Sequence, residues 1–117
     1  MRRKHHELLA WQLAVELVSD LYDLTASFPA AETYGLSAQI RRAAVSVPSN
    51  IAEGAARTTK REFAQFLSIA RGSLSEIDTQ LEIARKLGYV IDDEAVQLKM
   101  DPVFGLIGGL LKTQRDG

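Results

Sequence analysis

Two adjacent histidines, His5 and His6, open the chain and are its only histidines. Neighbouring residues on a helix point about 100° apart, and spacing supplies no third ligand, so the pair is not read as a metal site. It is read with residues 1–6 as a flexible N-terminal segment. Glu53, Glu76 and Glu82 are of the type found in di-iron helical bundles. That chemistry needs Glu-x-x-His pairs on inward faces, and no glutamate here has a histidine three positions on. Ser46, Ser49, Ser73 and Ser75 have no histidine base in any structured segment. The absence of cysteine removes disulfides, thiolate metal ligands and cysteine nucleophiles. The sequence therefore predicts no catalytic residue, no metal, no cofactor and no small-molecule substrate.

The remaining chemistry is that of cations. Residues 39–71 carry Arg41, Arg42, Arg57, Lys60, Arg61 and Arg71 against Glu53 and Glu62, a local charge of +4. Residues 72–101 carry Glu76, Asp78, Glu82, Asp92, Asp93, Glu94 and Asp101 against Arg85, Lys86 and Lys99, a local charge of −4. The net charge of −1 hides this asymmetry. Equal and opposite blocks suit self-complementarity, and a basic end also suits phosphate. Arg57, Lys60 and Arg61 cluster at a helix-helix turn and are the candidates for contact with nucleic acid or a nucleic-acid-binding partner.

Four helical segments must position these groups. The first spans about 7–27, with Leu8, Trp11, Val15, Val18 and Tyr22 as its apolar stripe, widened by Ala14, Leu17, Leu21 and Leu24. Phe28-Pro29 ends it. The second spans about 36–57 on Leu36, Ile40, Ala43, Val47 and Ile51. Pro48 lies inside that pattern and predicts a kink, the alternative being two helices that meet at Ser46. The third spans about 60–87, with Thr59 as N-cap, Glu62 reaching back, and Gly88 as C-cap. Its stripe is heptad-like: Phe63, Phe66/Leu67, Ala70, Leu74, Ile77, Leu81 and Ala84. The fourth starts after Asp92 or Asp93. Pro102, Gly105, Gly108 and Gly109 predict that it is bent or frayed.

Short links and no period of two give an all-α, antiparallel up-down four-helix bundle, kinked at Pro48, as one domain over 1–117. A composition of 46% hydrophobic and 25% charged residues fits a folded globular chain rather than a disordered one. No apolar run approaches the ~20 residues that span a bilayer. The expected location is cytoplasmic, with no membrane partner. Gly72 lies inside helix 3 at a cost of ~1 kcal/mol relative to alanine, which predicts close approach of a neighbouring helix. The polar flanks of helices 2 and 3 are expected to meet, with Arg42 or Arg41 pairing Glu76, and Glu53 pairing Arg71.

The stretch from Tyr34-Gly35-Leu36-Ser37 through Gln39-Ile40-Arg41-Arg42-Ala43-Ala44 to Pro48-Ser49-Asn50-Ile51-Ala52-Glu53-Gly54 resembles a signature of bacterial four-helix-bundle proteins. These are the 23S ribosomal RNA intervening-sequence proteins. Phe66-Leu67-Ser68-Ile69-Ala70-Arg71-Gly72-Ser73-Leu74-Ser75-Glu76 resembles their second signature. The resemblance covers about 7–91 and fades in helix 4. It implies a four-helix bundle and a homo-oligomer, a homopentameric ring. It also implies a likeness in fold to accessory proteins of diversity-generating retroelements, which are basic barrels that bind a reverse transcriptase and nucleic acid. It brings no catalytic residues. Arg41, Arg42, Pro48, Asn50, Glu53, Arg71, Gly72 and Glu76 are read as structural or assembly residues. The function expected is that of a non-enzymatic oligomer binding nucleic acid or a nucleoprotein partner through a basic surface. The alternative is a structural adaptor with no nucleic-acid role.

Overall fold

The computed structural model describes residues 2–89 and 92–116. Four helices make up almost all of it: α1 Leu9–Thr25, α2 Leu36–Ala55, α3 Lys60–Lys86 and α4 Glu94–Asp116. Short 3-10 turns at Lys4–Glu7 and Ala30–Glu32 precede α1 and α2. Each helix packs on its chain neighbours, and α1 also packs on α4, closing an antiparallel four-helix bundle 45 Å long. Among the described residues no helix is long and apolar enough to cross a membrane.

The core runs along one inner line of each helix. In α3 it is Phe63, Leu67, Ala70, Leu74, Ile77, Leu81 and Ala84, the stripe expected from the heptad-like spacing. In α1 the buried line is Ala10, Ala14, Leu17, Leu21 and Thr25, whereas Val15 and Tyr22 stay 43% and 41% exposed. Of the stripe expected to lead the helix, Leu8, Trp11 and Val18 are half-buried against the core, and Val15 and Tyr22 form its outer edge. Two apolar lines run down α1 at the same period, and the one carrying small residues lets its neighbours come closest.

Local signals fixed several boundaries. The Thr59 hydroxyl accepts from the Glu62 amide at 3.1 Å, starting α3 as expected. The Glu62 carboxylate accepts a hydrogen bond from the Thr59 hydroxyl at 3.0 Å rather than from the Thr59 amide. Gly88 adopts φ +80°, and the amides of Gly88 and Tyr89 reach back to Arg85 and Ala84, a Schellman closure of α3. The 3-10 turn before α1 stacks His5 and His6 on Trp11, with ring centroids 4.9 and 5.1 Å away, so α1 begins two residues later than expected.

At the prolines and glycines one alternative is decided and two expectations are corrected. α2 passes through buried Pro48 as one helix, so the two-helix alternative is excluded. Asn50 Nδ2 donates to the Ser46 carbonyl at 2.8 Å and to Ser46 Oγ at 2.9 Å, not to the Ala44 carbonyl that Pro48 frees. α4 is one continuous helix, which overturns the frayed arm of the expectation of a bent or frayed helix. Pro102 is exposed, and the carbonyl it frees belongs to Leu98, itself 68% exposed, so water can satisfy it. Val96, Met100, Val103 and Ile107 anchor the opposite side of α4. The glycine that permits close approach is Gly54, where an added Cβ would lie 2.7 Å from Phe66 Cβ. At Gly72 an added Cβ would meet nothing within 4 Å, so close packing inside the bundle does not explain it.

Candidate functional site

The first three turns of α3 run antiparallel to the last turns of α4, and a surface groove of about 540 Å³ opens between them. Lys60, Arg61 and Arg71 project into it from α3, and Arg115 from α4. The Thr59 cap fixes where α3 begins and so where Lys60 and Arg61 point. Arg71 follows on the same face, 11 residues or three turns on. Gln65, Ser68 and Gln114 add neutral hydrogen-bonding groups, and Ala64 and Leu111 form an apolar floor. Among the described residues, no carboxylate and no aromatic ring lines it. Lys60, Arg61 and Arg71 form no ion pair among the described residues.

Arg57 is not part of this groove. Its guanidinium pairs with Glu53 at 3.0 Å and lies 4.8 Å from the Phe66 ring centroid. The cluster expected at the α2–α3 turn is therefore divided. Lys60 and Arg61 face α4, while Arg57 is held back against α2 and α3. Sequence reasoning assigned Arg71 to a pair with Glu53, but Glu53 is taken by Arg57 one helical turn away. Arg115 was missed altogether, since only the antiparallel pairing of α3 with α4 brings it opposite Lys60.

The polar flanks of α2 and α3 do meet, but through hydroxyls. Ser46 Oγ and Ser73 Oγ lie 2.8 Å apart in a shallow groove also lined by Gln39, Arg42 and Glu76. The pairing expected between Glu76 and Arg42 or Arg41 is absent. Arg41 instead donates to Thr25 Oγ1 at 2.8 Å and covers the Tyr22 ring at 4.6 Å. Glu76 accepts from Gln80 Nε2 at 3.2 Å, while Gln80 Oε1 is buried without a partner.

The opposite end of the bundle carries the acidic block. Asp20, Asp23, Asp92 and Asp93 line a groove of about 300 Å³ between α1 and α4. Asp20 is bonded to Lys99 Nζ at 2.9 Å, and Asp93 to the Arg85 guanidinium and to Gln97. Burial alone would raise the Asp93 carboxyl, but the Gln97 amide and Arg85 outweigh it and hold it below the usual carboxylate range. The hydrogen bond to Asp20 raises Lys99 above the usual lysine range, against burial and with help from the charges of Asp20 and Glu16. Among the described residues no group of three His, Cys, Asp or Glu side chains is placed to hold a metal ion. Glu53, Glu76 and Glu82 all lie on the exposed surface rather than on inward faces.

The 23S rRNA-intervening sequence protein family matches residues 6–102. The chain belongs to that family. The match reaches from the His5-His6 turn to Pro102 and so includes α1, α2, α3 and the first turns of α4. No curated protein matches the chain at a significant level. Within this member of the 23S rRNA-intervening sequence protein family, the α3 wall of the basic groove lies inside the matched stretch. The α4 wall, with Leu111, Gln114 and Arg115, lies outside it.

Proposed function

We propose that this chain is a non-enzymatic, self-assembling helical module that holds the phosphate backbone of nucleic acid in the groove between α3 and α4. One observation carries the reading: Lys60, Arg61 and Arg71 converge, opposite Arg115, on a single concave surface whose described lining residues include no carboxylate. Such a surface gains affinity by displacing counterions from phosphates. The lack of a lining aromatic ring removes base stacking, the usual means of gripping splayed single strands. The reading is therefore of backbone contact without sequence preference. Assembly into the homo-oligomer implied by the resemblance, a ring of five, would repeat the groove and multiply its field. The location that fits is the cytoplasm, a reading that the absence of cysteine supports.

A salt series tests this. Fluorescence anisotropy with short RNA and DNA duplexes should show binding at low salt. The plot of log K against log salt should fall with a slope of about −3 per groove for the phosphates that Lys60, Arg61 and Arg71 neutralise. Absence of binding at low salt overturns the proposal. The second reading, a protein-interaction adaptor, then takes its place. The formal charge of −1 and the half-exposed apolar side chains Val15 and Ile69 favour that reading.

A further inference from the structure

The antiparallel bundle gathers much of its positive charge at one end. The start of α1, the end of α2, the start of α3 and the end of α4 all lie there. Besides Lys60, Arg61 and Arg115, this end holds the 3-10 turn Lys4–Glu7, with Arg2 and Arg3 before it. The turn is built in place. The Arg3 amide donates to His6 Nδ1 at 2.9 Å, and Gln12 Nε2 donates to the His6 carbonyl at 2.7 Å. The His5 and His6 rings stack on Trp11. The turn packs on α1 and α2, away from α4.

Gly54 decides how this end is arranged. Without a Cβ there, Phe63 and Phe66 lie against α2. Each ring then carries a cation. Lys4 Nζ is 5.9 Å from the Phe63 centroid, and the Arg57 guanidinium is 4.8 Å from that of Phe66. α3 thus begins between two sets of cations. Lys60 and Arg61 stand on its α4 flank, and Lys4, with Arg3 next to it in the chain, on its α2 flank. Arg3 and Lys4 are exposed, and neither forms an ion pair among the described residues. The carboxylates described near them are engaged: Glu7 by Arg2 at 2.6 Å, Glu53 by Arg57, and Glu62 by the Thr59 hydroxyl. Arg57, paired with Glu53, adds no net charge to either set.

We infer that the phosphate surface continues from the groove across the start of α3 onto this turn, and that duplex DNA lies across this end with one strand on each flank of α3. A helix with its side chains is about 10–12 Å across, so the two sets of cations stand roughly that width apart. The phosphate backbones that border the major groove of B-form DNA are separated by about 12 Å. Cations on both flanks of one helix therefore match both strands. A single strand lying along the groove meets the α4 flank alone. The major groove of A-form RNA is deep and narrow, so among duplexes the match is to DNA. The inference rests on the groove reading and adds to it the form of nucleic acid bound and two further contact residues, Arg3 and Lys4.

Salt titrations of the full chain with a short DNA duplex, the matching RNA duplex and one DNA strand alone test it. The DNA duplex should give a slope of log K against log salt of about −4.5, for three groove cations with Arg3 and Lys4. The RNA duplex should keep the groove's value of about −3 and the single strand about −2. The combined variant Arg3→Gln, Lys4→Met removes both charges and keeps a stem over Phe63. It should bring the DNA duplex slope back to about −3 and leave the other two probes unchanged. Circular dichroism and the emission of Trp11 check that the bundle and the turn are kept. If the emission shifts in the double variant, Lys4→Gln alone should reduce the DNA slope by about one. A DNA slope that a folded variant leaves unaltered, an equal loss on the single strand, or equal slopes for the two duplexes overturns the inference while the groove reading stands. If Lys60→Ala with Arg61→Ala loses affinity for none of the three probes, the groove reading falls and this inference with it.

Discussion

The Tyr89 hydroxyl donates to Glu32 Oε2 at 3.0 Å, and the other oxygen of that carboxylate accepts from the Leu36 amide at 3.0 Å. One carboxylate thus ties the segment after α3 to the first turn of α2, where no side chain caps the helix from the N-cap position, Gly35. The bond to Glu32 raises the Tyr89 phenol above its ordinary range, with burial and the Glu32 charge adding to it. Lys99 is raised by its bond to Asp20. Both folded-state values lie above the unfolded ones. Their contributions are therefore complete below about pH 10 and lost as pH rises through the folded values. Thermal unfolding followed across pH 8–12 should show a falling Tm at the alkaline end, and the combined Tyr89→Phe, Lys99→Met variant should show a flatter profile.

His5 behaves with the opposite sign. Burial first, then the charges of His6 and Arg3, depress its folded-state pKa. Its contribution is present above about pH 6.5 and lost as pH falls through the folded value. Protonation should loosen the stack on Trp11, so Trp11 emission should titrate below pH 6.5, and His5→Phe should diminish that transition.

Gly54 and Gly72 should respond in opposite ways to one substitution. Gly54→Ala drives a Cβ into Phe66 and Phe63, and overpacking of this kind costs about 1–3 kcal/mol. Gly72→Ala meets nothing in the chain and should stabilise the dissociated monomer by up to ~1 kcal/mol. Urea unfolding at dilution checks both.

The groove predicts a division among arginines. Arg71→Ala should weaken duplex binding and reduce the salt slope by about one. Arg57→Ala should leave the slope unchanged, because that guanidinium is already held by Glu53 and Phe66. Equal effects from the two would place the phosphate surface at the α2–α3 turn instead.

What was legible in the residues was mostly local. The Thr59 cap, the Gly88 stop and the inner stripe of α3 each depend on neighbours within a few positions. Helix partners decide the rest. Ala10 and Ala14 look indifferent beside Trp11 and Val15, yet they are buried, because small residues let α1 approach its neighbours. Arg71 and Arg115 are 44 positions apart and share a groove only once α3 and α4 pair. Glu53 lies within reach of two arginines on paper, and the one a single turn away took it.

The hydroxyls of Ser46 and Ser73, 2.8 Å apart between two long apolar stripes, have a consequence for how the chain reaches this arrangement. Apolar stripes alone tolerate sliding, since a shift of one turn replaces leucine by isoleucine at little cost. A slip of α2 along α3 would set Ser46 against Ala70 or Ile77 and leave both hydroxyls without each other, at about 1–3 kcal/mol for each one buried. Gly54 would meanwhile leave the place where Phe63 and Phe66 need it. The serine pair and the glycine act as a vernier on the hairpin, indifferent to how tightly the two helices bind but intolerant of any alignment other than one.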